Sequence, residues 1–428
     1  MDVLYGGVIA ATNRTAPPES AHRFRWLLFF MKRQLLFVLC LLALAQDAQA
    51  QNQTVRVFFV LSEDAMETKT AVIAGLATSA HRLTEVALDE ITSLHRGTSP
   101  ASRSLRIAQV YFVSLPIASL SHTLIHEIGH AEHAERLGGE PSFRITQWPW
   151  PVPLTFATSQ AGVQQPGLAI VSGGSEAAFG HERYQADAIY ADERTHYFNW
   201  IAYIYAKLDT LSYIQRSLDA DGFRDGDPQD FVLIFEHLRA AATGDDEHRA
   251  LAIARQGASL RAQSWRSLLD LTLVSAVSRT LQYVWTGERF TEPFQITVGQ
   301  IRVVPSWHFV LTPHGYENRA AIRMKFARQQ LLTYYRHITS PIRDNLVGIG
   351  GSWRKYAGAG LRVTLDVDGW RTELHDNGYR VSVGAQRAMN KLSGVELGGF
   401  LGYKSAGYLE GYPTGSTVLF GLTSAIRF

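Results

Sequence analysis

The 428-residue chain has one cysteine, Cys40, and it lies in an apolar run near the beginning. If that run is removed on export no thiol remains, which excludes disulfides, thiolate metal sites and cysteine nucleophiles. Histidine, aspartate and glutamate are then the available metal ligands. A charge bias is also missing: 41 Lys and Arg face 39 Asp and Glu with no block of one sign, so the chain has no electrostatic footprint for a nucleic-acid partner. Low-complexity tracts are absent as well. With 46% hydrophobic and 11% aromatic residues, the chain can bury a core in each of two domains.

The first fifty residues read as a targeting segment. Met31-Lys32-Arg33 is a positive start, Leu35 to Ala45 is an apolar run of signal-peptide length, and Ala48-Gln49-Ala50 is a small-x-small cleavage pattern. We expect residues 1–50 to be an upstream extension and signal peptide, with translation starting at Met31 and the mature chain near Gln51. The rival is an uncleaved anchor lengthened by Leu27 to Phe30. Leu39 stands before Cys40 where a lipoprotein signal would want a small residue. The expected location is the outer membrane or periplasm of a Gram-negative bacterium.

Residues 51–287 read as helical after one short apolar strand candidate, Val55 to Leu61. Ala71 to His95, Ser114 to Leu137, Glu176 to Leu218, Phe231 to Ala242 and Arg261 to Trp285 carry apolar residues at three- and four-residue spacing. In the second domain, 288–428, the period becomes two from Gln295 to Phe428, as in Arg362 to Val367, Tyr379 to Ala385 and Val395 to Tyr403. Asp376-Asn377-Gly378 is a hairpin-turn signal. The fold class expected is α+β, with about seven to nine antiparallel strands at the end. In the last strand Val418, Phe420, Leu422, Ser424, Ile426 and Phe428 share one face. This ending resembles the closing strand of bacterial outer-membrane β-barrels, for which about eight strands would fit the length. A soluble antiparallel sheet predicts the same alternation, and Asp366, Asp368 and Glu396 would face a lumen in the first case and solvent in the second.

The chemistry concentrates in "SHTLIHEIGHAEHAERLGG", Ser121 to Gly139, with four histidines and three glutamates. His126-Glu127-Ile128-Gly129-His130 is an HExxH motif. On a helix, residues four apart share a face, so both imidazoles can reach one ion with Glu127 beside it. Two His nitrogens, a third protein ligand and an open fourth position define a catalytic zinc site, where Glu127 serves as general base for the attacking water. Gly129 costs about 1 kcal/mol in a helix interior, a sign of close approach by a neighbour. A solvated helix face carrying His122, His126, His130 and His133 is the bland alternative.

The third ligand is sought in Gly173 to Tyr197, which begins with a Gly-Gly break and carries Glu176, His181, Glu182 and Asp187. HExGH followed some fifty residues later by a helix with Glu and an Ala-Asp pair resembles the gluzincin metallopeptidases, in particular the HtpX and CAAX-prenyl-protease family. That resemblance implies a mainly helical zincin-like domain, Zn²⁺ as cofactor, a peptide or protein as substrate, the later Glu as third ligand and the Asp as support to a motif histidine. The family sets its Glu four residues before the Asp, where this chain has Arg183, and Glu182 stands five before. Glu182 is favoured as third ligand, with Glu176 and His181 open, and Asp187 is paired with His126 or His130. Tyr184 and His196 are candidates for oxyanion stabilisation.

The acidic stretch Asp219 to Asp227 misses the calcium-loop spacing and reads as an interhelical turn. Ile107 to Ile125 and Leu268 to Trp285 read as buried core helices rather than membrane spans. Trp148-Pro149-Trp150-Pro151 is a rigid aromatic loop after the motif helix. The expected function is zinc-dependent peptide hydrolysis in the cell envelope, with membrane association through the C-terminal β region. The alternatives are a non-catalytic outer-membrane binding or assembly protein and an intramembrane HExxH peptidase.

Overall fold

Capping residues mark where the helices start and stop. In the computed structural model, which describes residues 57–61, 66–92, 97–149, 152, 154–162, 167–191, 193–218, 226–244, 249–342, 344–357, 360–373, 377–389, 395–408 and 415–426, Ser99 accepts from the Ser102 amide at 3.1 Å and opens α2, Pro100–Gln109. Asp270 accepts from the Thr272 amide at 2.7 Å and opens α8, Leu271–Thr286, and Gly287 at φ 78° stops it. The other helices are α1 (Met66–Ile91), α3 (Leu115–Arg136), α4 (Leu168–Ala191), α5 (Tyr197–Ser217), α6 (Asp227–Thr243) and α7 (Arg249–Ser264). A π-helical turn, Val110–Ser114, joins α2 to α3 without a break. The expectations about the start site, signal peptide and Cys40 and about most of the 219–227 stretch fall outside the described residues, as does Asp376 of the hairpin turn expected at Asp376-Asn377-Gly378.

Two sequence expectations for the helices change. Gly173-Gly174 is not a break but lies inside α4, where α3 and α4 cross so closely that a Cβ on Gly129 would meet the Gly173 carbonyl oxygen at 2.0 Å. Only glycine permits that approach. The single helix expected over Glu176 to Leu218 is two, because Thr195–His196 (β4) leaves the helix to pair with Phe290–Thr291 (β5), and His196 then caps α5. Trp200 and Tyr197 of α5 are fully buried in the main core, with Tyr197 stacked on Tyr283 of α8 at 3.6 Å between ring centroids.

β2 (Ser142–Gln147) and β3 (Phe156–Gln160) form a separate two-stranded ribbon. The C-terminal part is a run of nine antiparallel strands in chain order: β6 (Ile296–Val298), β7 (Ile301–Thr312), β8 (Gly315–Phe326), β9 (Gln329–Thr339), β10 (Leu346–Tyr356), β11 (Leu361–Thr372), β12 (Gly378–Met389), β13 (Val395–Lys404) and β14 (Thr417–Ile426). The early strand β1, Val57–Leu61, pairs with β14, with Val57 opposite Ile426. The sheet is not closed into a barrel: its edges are β1 and β6. α1 packs on the edge strand β1, and α8 packs on β7, the neighbour of the edge strand β6. The protein is thus mixed α and β, and Val55–Arg427 is one compact unit.

Register shows what each face of the sheet carries. One row runs Ile322, Thr333, Gly351, Val367, Val381, Tyr403, Val418 across seven strands. The next row over runs Ala321, Tyr334, Gly350, Asp368, Arg380, Lys404, Thr417. The second row is covered: Asp368 and Lys404 are 2% and 0% exposed, and Arg380 Nε donates to Asp368 at 2.5 Å. Asp366 accepts from Ser382 on the same side. α4 lies against this charged face, where Asp187 takes Arg354 at 2.7 Å and Gln330 donates to the Tyr190 carbonyl at 2.7 Å. The first row is open, with Val381 40% and Val418 63% exposed.

The expectation that Ile107 to Ile125 and Leu268 to Trp285 are buried core helices also changes, at the end of α2, in the π turn and in α8. One side of each packs inward through Arg106, Gln109, Leu273, Ala276 and Tyr283, while Ile107, Tyr111 and Phe112 and the stripe Val274, Val277, Leu281, Trp285 stay exposed.

Candidate metal centre

α3 sets His126 and His130 one turn apart on the same face, and their Nε2 atoms lie 3.1 Å from each other. Oδ2 of Asp227 closes the triangle, 3.2 Å from His126 Nε2 and 3.1 Å from His130 Nε2. Donors at zinc-ligand distance from one tetrahedral ion stand about 3.3 Å apart, so the triangle has the size such an ion requires. Asp227 is the first residue of α6, ahead of Pro228, so α6 begins at the cluster.

The residues around the triangle hold it in that form. His130 Nδ1 lies 2.6 Å from the Ile170 carbonyl oxygen, which makes Nδ1 a donor to the backbone and leaves Nε2 as the nitrogen that faces the triangle. Tyr213 of α5 donates to Asp227 Oδ2 at 3.1 Å and accepts from the Asp227 amide at 3.0 Å. Burial pushes the Asp227 carboxyl up, but His130 and His126 outweigh it and keep the group well below the usual carboxylate range. A Cβ on Gly174 would stand 2.4 Å from His126 Nε2 and 2.5 Å from His130 Nε2, so the glycine keeps the space beside the donors clear. Glu127 is 6% exposed, and its Oε2 is buried without a hydrogen-bond partner among the described residues. A buried carboxylate oxygen without a donor is costly unless a ligand, ion or water meets it. Two imidazoles and one carboxylate, with Glu127 next to His126 in the chain, could hold a metal ion.

The other residues singled out from the sequence lie elsewhere. Glu182, favoured as third ligand, accepts from Lys207 at 2.7 Å and sits 2.6 Å from His308 Nδ1. Its chain spacing from the motif gave no view of Lys207, which α5 brings in. Burial pushes the Glu182 carboxyl up, yet Lys207 and then His308 bring it down to about 2. Glu182, Asp270 and His308 have cation-binding geometry, but the Lys207 ammonium lies 2.7 Å from Glu182 and 3.2 Å from Asp270 and supplies the charge. Asp187 does not support a motif histidine; it pairs with Arg354 and Arg323 on the sheet. Glu176 is 2.6 Å from His133 Nε2 and also accepts from Tyr408. His181 faces His122, whose other nitrogen is 3.2 Å from Asp209. Tyr184 packs on Ile125 and Ala177, and His196 Nε2 is 2.7 Å from Glu85 in a buried group with His81. Trp148 is 60% exposed.

Asp227 and Tyr213 were missed. Asp227 lies at the end of the acidic stretch read as a turn, and its Asp-Pro pair does signal a helix start. Nothing local says that this helix start faces a motif about a hundred residues earlier.

No protein-family model matches this chain, and no curated protein matches it. A solved structure described as "Asymmetric conductivity of engineered proteins" is 12% identical over 31% of this chain, with a TM-score of 0.16. The match spans about half, 53%, of that chain, and a likeness at that level carries no argument about fold or function.

Proposed function

We propose that His126, His130 and Asp227 hold a zinc ion and that the chain hydrolyses peptide bonds in the bacterial cell envelope. One observation carries the reading: three donors of the right type lie within 3.2 Å of one another, and the glutamate next to His126 has a buried oxygen without a hydrogen-bond partner among the described residues. A zinc ion bound there supplies a Lewis acid that polarises the scissile carbonyl and acidifies the attacking water. Glu127 takes the proton from that water and passes it to the leaving amine. Ile170 and Tyr213 fix the orientations of His130 and Asp227, so neither has to reorganise as the reaction proceeds. His122 and His133 are engaged with Asp209 and Glu176, which favours an open fourth position over a closed structural site. Peptide as the substrate class rests on the resemblance of HExGH to the gluzincins, and envelope location rests on the signal-peptide pattern.

The test is zinc content and peptidase activity of the purified full chain. Wild type carries about one zinc per chain, and His126→Ala, His130→Ala and Asp227→Ala lose it. Glu127→Gln retains the metal and loses about 10²- to 10⁴-fold in turnover. Equal zinc in wild type and the histidine variants refutes the reading.

A further inference from the structure

In a water-soluble sheet packed on helices, the apolar face is covered and the charged face is open. This sheet is reversed. The charged row through Asp368, Arg380 and Lys404 is buried, and the apolar row through Val367, Val381, Tyr403 and Val418 is 40–63% exposed. Ile349 at 66%, Val383 at 52%, Leu401 at 64% and Phe420 at 50% extend the open face. The exposed basic residues among these strands, Lys355, Arg371 and Arg387, stand near strand ends. Register puts Lys355 opposite Val363 and Arg371 opposite Val347, at opposite ends of the β10–β11 pair. An apolar band therefore lies between two basic rims. β7 to β12 are 11–12 residues long, enough for a tilted strand to cross a hydrocarbon layer.

The band does not stop at the sheet edges. Behind the open face β1 packs on α1, and α1 reaches the π-helical turn through the buried contact of His81 Nε2 with Ser114 Oγ at 2.8 Å; this link is structural, and no large apolar side chain of α1 is exposed among the described residues. α2 is tied to α8 by Arg106, which donates to the Val284 carbonyl at 2.8 Å and the Trp285 carbonyl at 3.2 Å. α8 reaches the other edge through β7 and through Ser275 Oγ, which accepts from the Phe294 amide just before β6. The open sides of α2, the π turn and α8 are apolar too: Ile107 is 55% exposed, Val274 54%, Leu281 63% and Trp285 62%. Val274, Val277, Leu281 and Trp285 recur at three and four residues, a single helical stripe. Trp285 at its end carries Arg103 over its ring at 3.9 Å, an aromatic–basic pair suited to a membrane–water boundary.

We infer that the outer face of β8–β14 and the helical seam of α2, the π turn and α8 form one collar seated in the hydrocarbon of a lipid bilayer, so that helices complete a perimeter which the open sheet leaves incomplete. Hydrocarbon is the occupant because the apolar surface spans seven strands between basic rims and recurs on α2, the π turn and α8, whereas a protein partner would cover one patch. The inference does not depend on the metal reading, and variants that lose zinc keep the collar.

The test is spin-label accessibility in lipid vesicles. Full-length chain with Cys40→Ser receives single cysteines at Val381 or Leu401 on the sheet, and at Val277 or Leu281 on the seam. Each label is expected to be relaxed more by oxygen than by a water-soluble nickel chelate. Stronger relaxation by nickel at the sheet positions overturns the collar, and stronger relaxation by nickel at Val277 and Leu281 alone overturns the helical seam. Should a labelled variant fail to fold, wild type in native membranes decides the matter: retention after alkaline carbonate supports the collar, and release without detergent refutes it.

Discussion

Gly174 of α4 lies beside the imidazole of His126, so close that a methyl group on its Cα would stand 2.4 Å from Nε2. That distance is well inside van der Waals contact, and the same methyl would also press on His130. We therefore expect Gly174→Ala to displace both rings and to weaken zinc binding by about 10- to 100-fold, the size of effect seen when the support of a metal ligand is disturbed. Isothermal titration with zinc measures it. Unchanged affinity would show that the donors are not where the geometry puts them.

Asp227 and Glu182 make opposite predictions. Asp227→Asn removes a charged donor and reduces zinc content, with little loss of helix. Glu182→Gln leaves zinc content intact but takes away a buried partner of Lys207, at a cost of about 3–5 kcal/mol. Metal analysis alongside denaturant unfolding separates the two, and a Glu182→Gln protein that is stable but metal-free would reverse the ligand assignment.

Tyr213→Phe removes the hydroxyl that donates to Asp227 Oδ2 and accepts from the Asp227 amide. Zinc affinity should fall by about tenfold or more, with the melting temperature changing little. A variant with wild-type affinity would rule out a positioning role for this tyrosine.

Gly129→Ala places a methyl 2.0 Å from the Gly173 carbonyl oxygen, on a backbone that cannot turn aside. Overpacking of this kind costs at least about 1–3 kcal/mol. A melting temperature equal to wild type would mean that α3 and α4 do not cross at these glycines.

Asp187 gives a pH-dependent readout away from the metal. Burial pushes its carboxyl up, but Arg354 and Arg323 pull it further down, from 3.8 to about 2. A depressed folded pKa means that the stabilisation is fully present above the unfolded value and is lost as pH falls from about 4 to about 2. Its size is at most about 2 kcal/mol, since the side chain is 27% exposed. Asp187→Asn should thus be less stable than wild type at neutral pH, and the gap should narrow towards about pH 2. A gap of constant size across that range would exclude the ion pair as its source.

Which parts of this arrangement could be read from the residues follows from how local each one is. The four-residue spacing of His126 and His130 is enough to put them on one helix face, and the two-residue period after Gly287 is enough to indicate strands. Alternation cannot say which side of a sheet is covered, because Val381 and Ser382 alternate in the same way whether helices lie on one face or the other. The pair Gly173-Gly174 reads as a helix stop when taken alone, and only the crossing with Gly129 explains its place inside α4. Glu182 looked like a ligand because its nearness in sequence to the motif was visible, whereas its ion pair with Lys207 needed α5 in place. Asp227 was hidden for the same reason, being brought to the histidines by packing rather than by spacing.

The triangle of donors joins His130 to a residue 97 positions further along the chain. Closing a loop of that length has an entropic cost that must be met before the third ligand can help hold an ion. The two imidazoles alone offer a newly made chain only weak capture, and firm capture waits until α6 has packed on α4 and α5 and so brought Asp227 to α3. Zinc uptake should therefore be a late event in maturation, and its rate a clock for the final assembly of the helices.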